Sequence, residues 1–370
     1  MPWSTADADQ LDPGTEAPLN QTTIGVRRAR LRGEGVRDDF RATVEVDGGT
    51  LGGAHLRLLA ADVGWGHRWG TTRALTVRAG LLTIPFGAEV MRPELSRDFL
   101  EATTATRALF PGLRDGGVRV DGEFRALRAS VAIMNGAPVG DAQWQGVDPS
   151  ASHDVIGRLG VELGGCGWQV RAGASALVGD GLDPGAPPTK DELQWVDANE
   201  NGLVEITELQ VVDGDPGRPT QAYAHRALGA DAQVRWRALW IGWGQADAEV
   251  VVATDLDRGV APANPITLGR PQRGLGWQIG AVQALTPWLQ VGVRIDRYQA
   301  DRDASETLGA AQVRTDPTWT TVSAVATVRW HDAALSLGYD HGDNPLGRTL
   351  DGSITSQTDQ RVIVRGQWAP

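Results

Sequence analysis

The sequence predicts an all-β chain closed into a transmembrane antiparallel barrel of about sixteen strands. Three observations predict it: period-two alternation of apolar and polar residues, alternating short and long connections, and tryptophans near the short connections. Alternation with a period of two is typical of a strand with two different faces, and it is clear at residues 40–47, 289–296 and 322–329. Because a soluble β-sandwich alternates in the same way, the connections must decide between the two architectures.

Short and long connections follow each other strictly along the chain. The short turns are predicted near 124–126, 164–167, 236, 286–287 and 331–332, and the long polar loops at 137–153, 179–220, 252–273, 300–317 and 342–358. Outer-membrane barrels have tight periplasmic turns and long external loops, whereas a sandwich has no reason to keep this order. The sequence therefore favours one barrel domain over residues 1–370. The weakest strand pattern, at 92–109, indicates a partly helical stretch.

Tryptophan placement agrees with a membrane barrel. Seven of the 14 tryptophans fall at or near the proposed short turns: Trp65, Trp69, Trp168, Trp236, Trp288, Trp330 and Trp368. Tryptophan prefers the membrane–water interface, where its ring is half buried and its N–H stays hydrated, and barrels carry such aromatic girdles. Tryptophans scattered through a soluble core are the alternative.

Strand parity adds a further prediction. About fifteen strands can be counted from Thr22 onward, whereas single-chain bacterial barrels usually have an even number with both ends on the periplasmic side. Residues 2–8 are the only candidate for the missing first strand. A barrel of about sixteen strands leaves an aqueous channel, unlike one of about eight.

Composition excludes several classes of protein. The net charge of −11 and the lack of a basic patch argue against a nucleic-acid partner. Cys166 is the only cysteine, so no internal disulfide can form. No apolar run reaches the length of a membrane helix, and no signal peptide is present, so Met1 is expected to be an added start on an exported chain. The six histidines have no defensible metal or triad spacing, and no nucleotide fingerprint is present. We therefore expect neither an enzyme nor an organic cofactor.

Residues 197–208 match the twelve-residue calcium loop of EF-hands. The predicted calcium ligands, at positions one, three, five, seven, nine and twelve, are Asp197, Asn199, Asn201, Leu203, Glu205 and Glu208. Gly202 stands where that loop requires a sharp turn. Residues 190–196 could form one flanking helical turn. An acidic loop that resembles the motif by chance is the alternative.

Arginines recur on the polar face of the predicted strands, where they would point into the barrel. They include Arg28, Arg30, Arg78 and Arg128. Carboxylates such as Glu45, Asp121 and Asp296 share that face. Any single arginine is expected to form a structural salt bridge, whereas the set as a whole is expected to keep a pore wet and charged.

Several segments resemble the phosphate-selective porin O/P family. They include Arg27-Arg28-Ala29-Arg30, Gly80 to Gly87 with Pro85-Phe86-Gly87, and Arg114-Asp115-Gly116-Gly117, and they occur in the family's order. The resemblance implies a barrel that is usually trimeric. It also implies that segment 84–115 is the third external loop, folded inward as the pore constriction. By position, the residues near the narrowest point would be Arg92, Arg97, Arg107 and Arg114.

The expected function is passive diffusion of small hydrophilic solutes across the bacterial outer membrane, with an anion or phosphate preference from the interior arginines. Membrane lipid and a homotrimer are the expected partners. The alternative is a calcium-braced barrel in which the loop at 179–220 binds an external partner or surface.

Overall fold

The computed structural model describes residues 2–5, 23–24, 26, 28–50, 54–141, 150, 152–196, 200, 202–238, 242–308, 311–315, 317–348 and 354–368. The strands, in chain order, are β1 (Pro2–Thr5), β2 (Thr23–Ile24), β3 (Ala29–Arg37), β4 (Phe40–Gly49), β5 (His55–Trp69), β6 (Arg73–Thr83), β7 (Arg114–Phe124), β8 (Leu127–Met134), β9 (Asp154–Gly165), β10 (Trp168–Asp183), β11 (Glu192–Trp195), β12 (Leu209–Val212), β13 (Gln221–Ala238), β14 (Gly242–Thr254), β15 (Arg273–Ala284), β16 (Leu289–Gln299), β17 (Ser305–Leu308), β18 (Ala311–Arg314), β19 (Thr318–Trp330), β20 (Ala333–Arg348) and β21 (Ile354–Trp368). Two pairs, β11 with β12 and β17 with β18, form separate hairpins, and the other seventeen strands belong to one sheet.

That sheet closes on itself. From β3 to β21 each wall strand pairs with the next in antiparallel register. The first strand completes the ring, because Trp3 lies opposite Val362 of β21 on one side and Ile24 of β2 on the other. When β2 and β3 are counted as one interrupted strand, the wall has sixteen strands. The predicted all-β barrel and its short first strand are confirmed.

The wall carries apolar side chains on its outer face and polar side chains on its inner face, the reverse of a soluble protein. On β16 the apolar side chain of Val293 is 63% exposed, while Gln290, Arg294 and Asp296 on the opposite face are buried. Other outward positions are likewise large and apolar, as at Val131, Leu159 and Leu228. An apolar outer band around a polar interior is the arrangement that a lipid bilayer selects.

Short turns lie at one end of the barrel, for example at residues 125–126, 166–167 and 331–332, and the long connections lie at the other. We call these the short-turn end and the loop end. Exposed tryptophans lie next to the short turns, as predicted for an interface girdle: Trp69, Trp168, Trp288, Trp330 and Trp368.

Some predicted boundaries are wrong. Trp236 is not a turn but a residue of β13, where it pairs with Trp168 and Gly244 and its indole Nε1 donates to Gln283 Oε1 at 3.2 Å. The strands also continue into the predicted loops at 179–220, 252–273 and 342–358. In these places the ladder extends beyond the apolar band, so polar residues on both faces had suggested a loop.

Helices are short. They are α1 (Ala88–Met91), α2 (Thr104–Leu109) and α3 (Pro265–Leu268), with 3-10 turns at Glu94–Ser96 and Ile206–Glu208. Within the described part of the chain, no helix has the length and apolar character needed to cross a membrane. The predicted partly helical stretch at 92–109 is confirmed by the turn at Glu94–Ser96 and by α2.

The third long connection folds into the barrel. It runs from residue 84 to residue 113, slightly shorter than predicted, because β7 begins at Arg114. We call it the inner segment. Its apolar side packs against inward residues of the wall in one buried cluster that includes Phe86, Leu109, Met134 and Leu177.

Glycines on the wall make room for this packing. A Cβ at Gly229 would lie 2.8 Å from the ring of Phe86, and one at Gly276 would lie 2.4 Å from Ala105 of α2. The predicted inward third loop is confirmed.

An outward arginine should destabilise the barrel in a bilayer. Val293→Arg places a charge near the middle of the lipid face, where such changes cost about 2–4 kcal/mol. The matched control is Gln233→Arg, since Gln233 lines the interior. The measurement is reversible denaturant unfolding in phospholipid vesicles, and equal losses of unfolding free energy in both variants would contradict this assignment of faces.

Candidate functional site in the barrel interior

Wall side chains hold both helices of the inner segment at their first turns. Glu249 Oε2 accepts hydrogen bonds from the backbone N–H groups of Ala88 and Glu89, at 3.1 and 2.9 Å. Asp296 Oδ1 accepts from the backbone N–H of Thr104 at 3.0 Å. The free N–H groups of a first helical turn favour a negative partner. The two carboxylates therefore anchor the segment at two separate points of the wall.

Wall arginines hold the carbonyl groups of the same segment. Arg294 donates to the carbonyl of Glu101 at 3.0 Å, and Arg365 donates to the carbonyl of Arg97 at 2.8 Å. The guanidinium of Arg294 also lies 4.8 Å from the ring centroid of Phe99. Because the anchors reach β14, β16 and β21, the inner segment crosses the barrel and is not attached to one side only.

Glu89 is the centre of a buried charge cluster. Its Oε1 lies 3.7 Å from Arg97 and 3.8 Å from Arg294, and its Oε2 lies 3.9 Å from Arg92. Burial alone would raise the pKa of the Glu89 carboxyl, but the three arginines outweigh burial and hold this pKa below its ordinary value. Arg92 also reaches Asp247 of the wall at 3.5 Å. Arg92 and Arg97, two of the residues predicted at the constriction, are thus brought together.

Glu94 joins the inner segment to the opposite wall. Arg28 lies 3.3 Å from its carboxylate, and Arg30 contacts it as well as Asp47, the latter at 3.3 Å. Burial opposes ionisation of Glu94, yet the charges of Arg28 and Arg30 lower its pKa below the ordinary value. Arg28, just before β3, and Arg30, on β3, were both predicted to line the interior. Both bind the inner segment.

Arg114 joins the cluster around Glu94, because its partner Glu45 also lies 3.9 Å from Arg30. The other predicted arginines make separate contacts. Arg114 contacts Glu45 at 3.4 Å, and Arg78 contacts Asp62 at 2.7 Å. Arg128 lies farther toward the short turns, 3.7 Å from Glu162. The side chain of Arg107 is solvent-accessible on α2, and it faces the loop end.

A cavity of about 850 Å³ lies between the inner segment and the short turns. We call it the inner vestibule. Nine arginines and seven carboxylates line it. The arginines are Arg41, Arg68, Arg78, Arg92, Arg119, Arg128, Arg158, Arg171 and Arg235. Positive charge is therefore in slight excess. Arg235 donates a hydrogen bond to Gln245 at 2.7 Å, and no carboxylate of the described residues lies within 4 Å of its guanidinium.

A smaller cavity of about 180 Å³ lies on the other side of the inner segment, between α2 and the wall from β16 to β21. We call it the outer cavity. Here the balance is reversed, with three arginines against five carboxylates. The carboxylates are Glu101, Asp296, Asp340, Asp343 and Asp359. The interior charge thus changes sign along the barrel axis.

Sequence reasoning missed the anchors Glu249 and Asp296 as functional positions. Each one stands at an inward position of a strand next to an apolar outward residue, Val250 for Glu249 and Ile295 for Asp296, and this pattern signals only an interior carboxylate. The partner of Glu249 is 160 residues away along the chain. Only the closed barrel shows that the two carboxylates hold helix ends.

Solved structures with the same architecture are outer-membrane proteins. The outer membrane channel DcaP of Acinetobacter baumannii is 10% identical, with a TM-score of 0.54 over 98% of this chain and 92% of that one. The anion-selective porin from Comamonas acidovorans is 11% identical, with a TM-score of 0.50 over 93% and 90%. OmpT of Vibrio cholerae, in a trimer form, is 9% identical, with a TM-score of 0.51 over 94% and 93%.

The chain folds as a porin-type barrel. No protein-family model matches it, and no curated protein matches its sequence. The likeness in structure therefore shows the fold, and the finer resemblance to the phosphate-selective porin O/P family stays a prediction.

The described part of the predicted calcium loop, residue 200 and residues 202–208, belongs to the long connection between β10 and β13. Asp197, Asn199 and Asn201 lie outside the described residues. Leu203 and Glu205 are exposed, whereas Glu208 is only 5% exposed. A helical turn at 190–196 is wrong, because residues 192–195 form strand β11.

Removing Arg97 should destabilise the barrel far more than removing Arg128. Arg97→Met leaves the buried Glu89 with fewer positive partners, a change that typically costs about 3–5 kcal/mol. Arg128→Met removes a half-exposed arginine, with an expected loss under about 1 kcal/mol. Equilibrium unfolding in vesicles at neutral pH measures both.

The loss in Arg97→Met should shrink at low pH. Because the arginines depress the pKa of Glu89, its ionised form stabilises the fold above the ordinary value of 4.5, and this contribution is lost as the pH falls through the depressed pKa. In Arg97→Met the ionised Glu89 has one arginine fewer, so it stabilises the variant less, and less stability is lost when Glu89 is protonated. A deficit that stays constant from pH 7 down to a pH well below 4.5 would contradict the coupling.

Proposed function

We propose that the chain is a channel of the bacterial outer membrane, through which small hydrophilic solutes diffuse passively with a preference for anions. The observation that carries the proposal is the charged interior, narrowed by an inner segment that is anchored on three sides. The apolar outer face is that of a membrane barrel, and arginines around a wet interior can replace part of the hydration of a passing ion.

The inner vestibule supports the anion preference. Its arginines exceed its carboxylates by two, and arginine presents a fork of donors that fits carboxylate and phosphate oxygens. Most of these arginines have a carboxylate partner, as Arg78 has in Asp62. At each such arginine, a passing anion must compete with the carboxylate that the arginine already contacts. Each contact is therefore weak, and the anion can leave again. Phosphate is the solute class proposed from the sequence resemblance.

The proposal includes the lipid around the barrel and its oligomeric state. The outward apolar band requires lipid around the barrel. One structural neighbour is described in a trimer form, and we propose a homotrimer for this chain.

Neutralising Arg235 should weaken anion preference. A unit charge about 8 Å from an ion in water contributes about 0.5 kcal/mol, favourable for chloride and unfavourable for potassium, and salt at about 0.1 M roughly halves each contribution. Arg235→Gln should therefore lower the chloride-to-potassium permeability ratio about twofold. The measurement is the reversal potential of single channels in a planar bilayer across a salt gradient. Phosphate added to chloride should block the wild-type current.

Arg73→Gln is the matched control, because Arg73 stacks on Phe124 at the short-turn rim and does not line the vestibule. It removes the same charge and should leave the reversal potential unchanged. Clear cation preference of the wild type would refute the anion proposal, and folded protein without conductance steps would refute the channel itself.

One observation favours a second candidate function, the docking of an external protein on the hairpin of β11 and β12. Leu193 and Val211 face each other across this hairpin, and each is more than 60% exposed. Such an apolar surface at a loop tip suits a protein contact. Leu193→Ser with Val211→Ser should abolish binding of purified extracellular proteins to vesicles that carry the chain. Unchanged binding would exclude this surface, and conductance should be unaffected either way.

A further inference from the structure

The fifth long connection, between β10 and β13, is a β-ribbon with the acidic motif at its tip. The strands β11 and β12 pair from Glu192 opposite Val212 to Trp195 opposite Leu209. Beyond that pair, the backbone N–H of Val196 donates to the carbonyl of Glu208 at 3.0 Å. The motif at 197–208 therefore begins and ends where the two strands come together.

Glu208 is buried, although the residues that precede it in the motif are exposed. The carboxylate is 5% exposed, whereas each described residue from Gly202 to Thr207 is exposed. Its Oε2 accepts a hydrogen bond from the indole Nε1 of Trp195 at 3.1 Å. Its Oε1 is buried and has no hydrogen-bond partner among the described residues. A buried carboxylate oxygen without a partner is unfavourable, which indicates that a cation belongs beside it.

The motif supplies the other oxygens that such a cation needs. Counted from Asp197, Glu208 is residue twelve, the position of the bidentate glutamate in a calcium loop. Gly202, at position six, has a φ of 72°, the left-handed conformation that the sharp turn of this loop requires of glycine. The carbonyl of Leu203 and the carboxylate of Glu205 follow at positions seven and nine.

We propose that segment 197–208 binds one calcium ion, with Glu208 as the ligand at its end and Trp195 orienting that carboxylate. The donors are all oxygens, which suits Ca²⁺, and this cation tolerates irregular geometry better than Mg²⁺ does. Two asparagines in place of aspartates reduce the ligand charge. The affinity should therefore lie in the range of extracellular modules, a dissociation constant of about 10⁻⁴–10⁻³ M.

A bound ion would fasten both ends of the tip to the paired strands. It would stabilise the ribbon without touching the barrel interior, so this inference does not depend on conduction. The hydrogen bond from Trp195 to Glu208 also provides a spectroscopic reporter at the site.

Terbium luminescence tests the proposal on the folded full-length chain. With Tb³⁺ as the probe and excitation of tryptophan, the wild type should show saturable emission that Ca²⁺ competes away at much lower concentration than Mg²⁺. Glu208→Gln should weaken Tb³⁺ binding about tenfold or more, since the bidentate ligand is lost. Trp195→Phe should lower the emission while leaving calcium affinity, measured by calorimetry, within a few-fold of the wild type.

Glu192→Gln is the matched control, because Glu192 is an exposed acid at the far end of the same ribbon. It should bind Tb³⁺ as the wild type does. Far-ultraviolet circular dichroism, which reports the strand content of the barrel, verifies that each variant has folded. Emission that is equal in the wild type and in Glu208→Gln, or that Ca²⁺ does not reduce, would overturn the calcium site and would identify an acidic loop without a specific ion.

Discussion

The need to pair every backbone N–H and C=O group in a medium without water governs this molecule. A sheet with open edges cannot meet that need in hydrocarbon, whereas a closed one can. Here the ring is completed by the four residues of β1, which lie between β21 and β2. Closure turns apolar side chains outward, as at Val293, and leaves charged ones such as Arg294 and Asp296 enclosed. The interior can be a functional site only because the wall is sealed.

An interior of this width must be shaped by something other than wall side chains. The inner segment does so with two different sides. Its apolar residues, Phe86 and Leu109 among them, pack on β8, β9, β10, β13 and β14 and form a core inside the barrel. Its charged residues meet arginines and carboxylates of the wall, as Glu89 and Glu94 do. One side makes the segment rigid, and the other places charged side chains at the borders of both cavities.

The strands were predictable because side-chain alternation is a local property of the sequence. The first strand followed from parity, and the inward segment followed from family resemblance. The anchors Glu249 and Asp296 were not predictable, since their partners are brought near only when distant strands close into a ring. The false turn at Trp236 has a different cause. Beyond the apolar band a strand meets water on both faces, so alternation no longer distinguishes it from a loop.

The opposite charge excess of the two cavities has an electrical consequence. Carboxylates predominate in the outer cavity and arginines predominate in the inner vestibule, with the inner segment between them. In a pore of this kind, one direction of the applied voltage accumulates ions at the junction and the other depletes them. We therefore expect the current through the proposed channel to rectify, as in a diode. Rectification grows as the salt is diluted, because the screening length rises from about 10 Å at 0.1 M to about 30 Å at 0.01 M and then spans the junction.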